Sequence, residues 1–414
     1  MVERIKPRLT ERKTGGRTIA SRDLLEEYVE KDLSRRRLLL GALAAASVAV
    51  GCSDGPAAPG TPGPLADAGA DVPAPEDSSP PVDAPAPRTT HLVGIGQSDD
   101  HLQAAELALA ETAGFDFVRS GQRVYLKVNT NSGDAFPYST SPDLIRWVTA
   151  KVRERGGEVF VGDRSFFGDR NTVRNFRDNG IADVCDELGV ELHVFGDPAT
   201  DTAANSVDWM DLPTEIDGLG ARSTSWTGTM RIPAMVAQAD HIIAMPCVKT
   251  HFIATYTMSM KNMIGIVNPR DRSVPGNLGN HSTTADKLHR QVAFMNKAGP
   301  NVSLVVLDGW SALVSGGPLP SNAPPRAPAG WTAQVADARV VIVSRDRVAA
   351  DLTGLALLKS LSPAYEAIQS STARANRQML RALESGVGIT SVDQLDLSGP
   401  SVAALDALRA TAVA

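Results

Sequence analysis

Two short runs hold the side chains best suited to chemistry. Lys249-Thr250-His251 presents a cation, a hydroxyl and an imidazole in succession, after an apolar run at 241–245 and a proline that cannot continue a strand ladder. Lys261-Asn262 follows in a methionine-rich stretch, TMSMKNMIG, whose methionines read as core packing. A buried lysine must meet an anion or lose its proton. Lys261 in such company therefore points to a bound phosphate, a carboxylate or a protein acid, although a surface lysine on an amphipathic helix fits the spacing equally.

Similar polar clusters close the other apolar runs. Lys127 and Asn129 end 123–129, Asp163 and Arg164 follow 158–162, Asp308 and Gly309 follow 303–307, and Asp346 follows 339–344. Individually, each Asp is also what a helix cap or loop start requires. In a parallel sheet all carboxyl ends share one edge, and ligands bind in the crevice beyond them. Lys127, Lys249, His251, Lys261 and Asp308 are therefore expected around one pocket. Lysines supply point charges for an anion, and an imidazole titrates near neutrality and can move a proton.

The elements that must position these residues alternate. Strands are expected at 123–129, 158–162, 191–195, 241–245, 303–307 and 339–344. Helices are expected at 142–155, across 172–188, and at 256–263, 285–297, 348–358 and 374–384. Ser141 as cap and Pro142 at the first position open the first helix. Short, nearly all-apolar strands separated by helices predict an α/β fold: a mostly parallel sheet with helices on both faces, in one large domain over 89–414. The proline-rich stretch 316–330, with Trp310 and Trp331 beside it, reads as a long surface loop. His193 and His289 read as surface residues, and His281 lies in a polar loop.

In this order, KVN at 127–129, TSPDLIRWV from Thr140, EVFVGDRS from Glu158, ADHIIAMPCVKTH from Ala239, MKNMIG from Met260, LDG at 307–309, GGP at 316–318 and SRDRVAAD at 344–351 resemble the domain of unknown function 362 family over about 92–390. The resemblance implies roles for Lys127 and Asn129, Asp163, Lys249 with Thr250 and His251, Lys261 with Asn262, Asp308, and Asp346 with Asp351. Within that set, His251, Lys249 and Asp308 are the catalytic candidates, and the others are ligand-binding candidates. Val128 departs from the family's usual Pro, Cys247 stands where another residue is common, and Val314 replaces a frequent acid. Many relatives carry a ferredoxin-type cluster domain. This chain has three cysteines, too few for such a cluster, so no iron–sulfur cluster is expected.

The amino end has another character. Ser34-Arg35-Arg36-Arg37-Leu38-Leu39 follows the twin-arginine export pattern, with an apolar core to Val50 and Gly51-Cys52 like the end of a lipobox. Residues 1–52 are thus expected to be a signal read by the twin-arginine machinery, and Cys52 a lipid attachment site, with simple cleavage near 49–51 as the alternative. The Pro/Ala/Gly-rich segment 53–88 cannot bury enough surface to offset ordering, so it reads as a disordered linker. The expected location is the periplasm or envelope. Net charge is −6 and no basic stripe with interleaved aromatics occurs, so nucleic acid is not an expected partner.

The function expected from these residues is a site for a small anionic ligand, phosphate or carboxylate. Two alternatives stand beside it. One is a metal site drawing on His251, His281 and the carboxylates Asp163, Asp308, Asp346 or Asp351, for which no HExxH or acidic calcium loop is present. The other is a non-catalytic envelope lipoprotein that binds a protein or polymer. Cys185 and Cys247 read as buried small apolar residues.

Overall fold

Apolar β-branched runs form the strands of the central sheet, and the computed structural model describes residues 92–165, 172–196, 205–213, 226–274, 276–278, 285–322, 327, 329–362, 366–369, 376–399 and 410. The expected signal with Arg35, Arg36 and Cys52, the expected linker 53–88 and His281 lie outside the described residues, as do 323–326 and 328 of the expected surface loop and 374–375 of the last expected helix. The described residues fall within the unit Pro87–Ala414.

The strands are β1 (Val93–Gln97), β2 (Arg123–Lys127), β3 (Glu158–Asp163), β4 (Glu191–Gly196), β5 (Asn205–Ser206), β6 (Trp209–Leu212), β7 (Met230–Pro233), β8 (His241–Ala244), β9 (Cys247–His251), β10 (Thr255–Thr257), β11 (Leu304–Ser315), β12 (Gln334–Ala336), β13 (Val340–Ser344) and β14 (Leu397–Ser398). The helices are α1 (His101–Ala110), α2 (Pro142–Glu154), α3 (Thr172–Asp178), α4 (Ile181–Leu188), α5 (Ala234–Ala237), α6 (Ser259–Asn262), α7 (Pro269–Arg272), α8 (Ala285–Ala298), α9 (Arg347–Leu361), α10 (Glu366–Gln369) and α11 (Arg377–Glu384). The sheet order is β14-β1-β13-β11-β8-β2-β3-β4-β5, and β6 pairs with β7 apart from it. One apolar cluster covers each face. Trp147, Leu144, Val148 and Ala104 of α1 and α2 lie in one; Leu352, Leu355, Phe294 and Met379 of α8, α9 and α11 lie in the other. The mostly parallel α/β architecture is as the sequence predicts. Among the described residues no helix is long and apolar enough to cross a membrane.

Several local expectations are corrected. β13 runs antiparallel to both β1 and β11, so its carboxyl end and Asp346 lie on the edge opposite the ends of β2 and β3. β11 does not stop at Leu307; it continues to Ser315, which puts Asp308 inside a strand. Met245-Pro246 interrupts a strand that resumes as β9 along the same neighbour, so Lys249-Thr250-His251 is ladder and not a loop. Residues 255–257 form β10 instead of starting a helix, because Thr-Tyr-Thr is β-branched and aromatic. The helical segments expected across 172–188 are as predicted, α3 and α4, separated at Gly180, whose φ of 80° suits glycine.

Candidate functional site

Parallel β2, β3 and β8 end on one edge, and the side chains beyond those ends build a buried ionic cluster. The last residue of β2, Lys127, is fully buried, and its Nζ lies 3.0 Å from Asp163 Oδ1 at the end of β3. The same ammonium donates to Asn262 Oδ1 at 3.0 Å and to the Val128 carbonyl at 2.6 Å. Asp163 also accepts from the backbone of Thr130 at 3.2 Å and of Arg164 at 2.8 Å. Burial lowers the Lys127 pKa, and Asp163 opposes that shift. Gly265 passes so close that an added Cβ would sit 1.9 Å from Asp163 Oδ1. Glycine is required there by approach, not by φ.

The other two lysines lack a carboxylate of their own. Lys249 on β9 is fully buried and donates to the Tyr138 carbonyl at 2.7 Å; burial brings its pKa down to about 8. Lys261 on α6 is half-buried, yet burial acts first, with Lys249 and Arg272 adding to it, to bring its pKa down to about 7. Among the described residues no acceptor hydrogen-bonds its ammonium. Arg272, buried on α7, donates to the carbonyls of Ile264 at 3.1 Å and Ser165 at 3.0 Å. Asp163 is thus the one carboxylate that contacts any of the three lysines among the described residues.

Asn262 is held as well by its amide, which donates to the Lys127 carbonyl at 3.2 Å. Asp351, buried on α9, supports this segment from behind. It accepts from the backbone of Ser259 at 2.7 Å and of Met260 at 3.1 Å, and from the Ser259 hydroxyl at 2.6 Å. Burial raises its pKa to about 6 despite those bonds. Asp351 therefore fixes α6, and with it Lys261, without joining the lysines.

The loop between β2 and α2 closes over β9. The Thr140 hydroxyl accepts from Asn129 N and donates to the Met245 carbonyl, while Asn179 Nδ2 donates to Thr130 Oγ1 at 2.7 Å and to Ser132 O and Ser139 Oγ at 3.2 Å. Below this loop Cys247 donates to Ser139 O, and burial pushes its thiol up to about 12, so it is inert at neutral pH. Cys247 and Cys185 are both free and buried. The Asn129 amide nitrogen is buried with no oxygen or nitrogen acceptor and lies against the Cys247 sulfur.

Two neighbouring residues on β9 have different tasks. Thr250 points to the other face and donates to the Leu313 carbonyl at 3.2 Å. His251 Nδ1 accepts from the backbone of Ile253 at 3.1 Å and of Ala254 at 3.2 Å, committing that nitrogen to the turn before β10. Asp346 caps α9 through Val348 N and Ala349 N, both at 2.8 Å, and accepts from Ile389 N.

Asp308 pairs in register with Cys247, two residues along β9 from Lys249. Its Oδ1 lies 3.0 Å from Nε2 of His101 at the start of α1, a residue that sequence reasoning missed. The His101 ring stacks between Phe136 and Trp310, with centroids 5.3 and 5.0 Å away. Sequence reasoning also missed Arg272, Gly265 and Asn179, which lie off the strand ends that carried the argument. His289, expected at the surface, is buried on α8; burial lowers its pKa to about 4, and Lys261 adds to that shift.

Among the described residues no three His, Cys, Asp or Glu side chains group as metal ligands. Shallow concavities at Leu109–Phe115 and around Arg123, Gly157 and Glu191 lie on the opposite edge of the sheet.

A family model described as "Domain of unknown function (DUF362)" matches residues 124–356. The Thylakoid-associated protein sll1697 of Synechocystis sp. is 28% identical over 154 residues, which is 37% of this chain and 41% of that protein. The chain therefore spans less than half of that relative's length. The lactate racemase apoprotein from Thermoanaerobacterium thermosaccharolyticum aligns at 13% identity with a TM-score of 0.30, over 56% of this chain and 53% of that one.

Proposed function

The chain belongs to the domain of unknown function 362 (DUF362) family, and from that premise we propose that the cluster beyond β2, β3 and β8 binds a small oxyanion, a phosphate or a carboxylate. One observation carries the reading. Lys261 feels the charges of Lys249 and Arg272 with no acceptor of its own among the described residues, while Asp163, the carboxylate that contacts this cluster, is engaged by Lys127. Like charges brought together out of water repel, and the arrangement is relieved when an anion enters. Lys249 and Lys261 are then the ligand's charge partners, with Lys127 and Asn262 holding the floor.

The test is calorimetric titration with sulfate, whose own charge stays constant over the relevant pH range. Without an anion Lys261 and Lys249 lose their protons near pH 7 and 8, and a bound anion favours the ammonium form. Binding therefore takes up protons, and affinity falls as pH rises, by at least about tenfold between pH 7 and 9. No heat of binding at pH 6, or an affinity flat with pH, would remove the reading.

The proposal includes export through the twin-arginine route, supported by Arg35-Arg36 ahead of an apolar core, with Cys52 as lipid anchor and 53–88 as tether. Replacing Arg35 and Arg36 by Lys is expected to leave the protein inside the cell on fractionation. Undiminished delivery in that variant would sink the address, and absence of lipid label on Cys52 in the parent would sink the anchor alone.

A further inference from the structure

Asp308 is 1% exposed, and its two oxygens are treated differently. Oδ1 is held by His101 Nε2 at 3.0 Å and by the backbone of Trp310 at 3.2 Å. Oδ2 is buried and meets no donor in the protein. A buried carboxylate oxygen left without a donor is costly unless something outside the chain supplies one. The surroundings also make the group stiff. The His101 ring is clamped between Phe136 and Trp310, Trp310 Nε1 donates to Ser98 O at 3.1 Å, and the Arg339 guanidinium lies 4.3 Å over the Trp310 ring.

This carboxylate borders the lysine cluster. It faces Cys247 across the β9–β11 pairing, and Lys249 is two residues further along β9, a rise of about 7 Å. The loop between β2 and α2 spans both: Phe136 stacks on His101, Ser139 O accepts from Cys247, and Tyr138 O accepts from Lys249.

We propose that Asp308, oriented by His101, is a second subsite that accepts a hydroxyl from the bound anion, so that the ligand is a short hydroxylated phosphate ester or carboxylate. The proposal rests on the oxyanion reading and gives the ligand a second end. Lysines take the oxyanion and Asp308 Oδ2 takes an O–H, and because Lys249 lies only two residues along β9 from Cys247, the register partner of Asp308, the ligand is a short one. His101 acts through Asp308 and is a positioning residue.

The experiment compares two probes of equal charge, glycerol 3-phosphate and n-propyl phosphate, by calorimetric titration of the purified protein at pH 6.5, with sulfate as reference. The hydroxylated ester is expected to bind about tenfold or more tightly, because a site built to pair with a hydroxyl is left unpaired by the analogue lacking it. In Asp308→Ala the ratio of the two affinities should fall to near one, since no polar side-chain atom remains there to pair with the hydroxyl. The parent comparison decides the matter even if that variant loses stability. Equal affinities in the parent, with sulfate bound, overturn the hydroxyl subsite and leave the oxyanion reading standing. A preference that survives Asp308→Ala overturns the role of Asp308. Failure of sulfate and both esters to bind overturns the oxyanion reading itself and this proposal with it.

Discussion

Replacing Asp163 by Ala is expected to cost roughly 3–5 kcal/mol of folding stability, the range found when one member of a buried ion pair is removed. The Lys127 and Asp163 side chains are only 1% and 5% exposed, so water cannot replace the lost carboxylate. Its removal leaves the Lys127 ammonium facing the Val128 carbonyl and Asn262 Oδ1, and strands the backbone N–H groups of Thr130 and Arg164. It also removes the one carboxylate that, among the described residues, contacts any of the three lysines. In a domain of this size the melting temperature should fall by about 10 °C. The double variant Lys127→Met with Asp163→Ala should recover much of the loss, because the stranded charge goes with its partner. A loss below about 1 kcal/mol in urea denaturation, or no recovery in the double variant, would mean that the pair is not the keystone of this edge.

Much of the edge was legible because apolar runs ending in Lys127, Asp163 and Lys249 already marked strands pointing one way. What misled was β13. Parallel strands need a crossover connection, usually a helix, and residues 316–339 between β11 and β13 are rich in proline and glycine. That composition signals an antiparallel return, which takes Asp346 off the edge where β2 and β3 end. Asp308 was found for an incorrect reason: it does not end a strand, but a long β11 carries it past Pro246 to face Cys247. His101 could not have been found by periodicity. It opens α1 after the Asp100 cap, and only the chain's return through β11 more than two hundred residues later gives it a partner. Arg272 and Gly265 were hidden for the same reason, since close approach of a loop to a strand end leaves no local pattern.

Replacing Lys261 by Met is expected to act in opposite directions on folding and on binding. The unfolded chain holds the Lys261 proton up to its ordinary value of 10.5, whereas the folded, empty site releases it near 7. Between those limits the unfolded state binds more protons, so wild-type stability rises with pH across the window and is lowest, on account of this group, at pH 7 and below. Met keeps the volume and removes the charge. The empty variant should therefore be more stable than the parent at pH 7, by roughly 1–3 kcal/mol given the side chain's partial solvent access, and its stability should climb less steeply from pH 7 to 10. Lys249, with its pKa at about 8, keeps a residual slope of the same sign. Sulfate affinity should drop by about ten- to a hundredfold at pH 6.5, the worth of one charge-assisted hydrogen bond. Urea denaturation at pH 7 and 9.5 without anion, beside calorimetric titration with sulfate, reads both effects. A variant that loses stability at pH 7 with the parent's pH slope unchanged would show that Lys261 is satisfied in the empty protein, and the case for an anion at this edge would go with it.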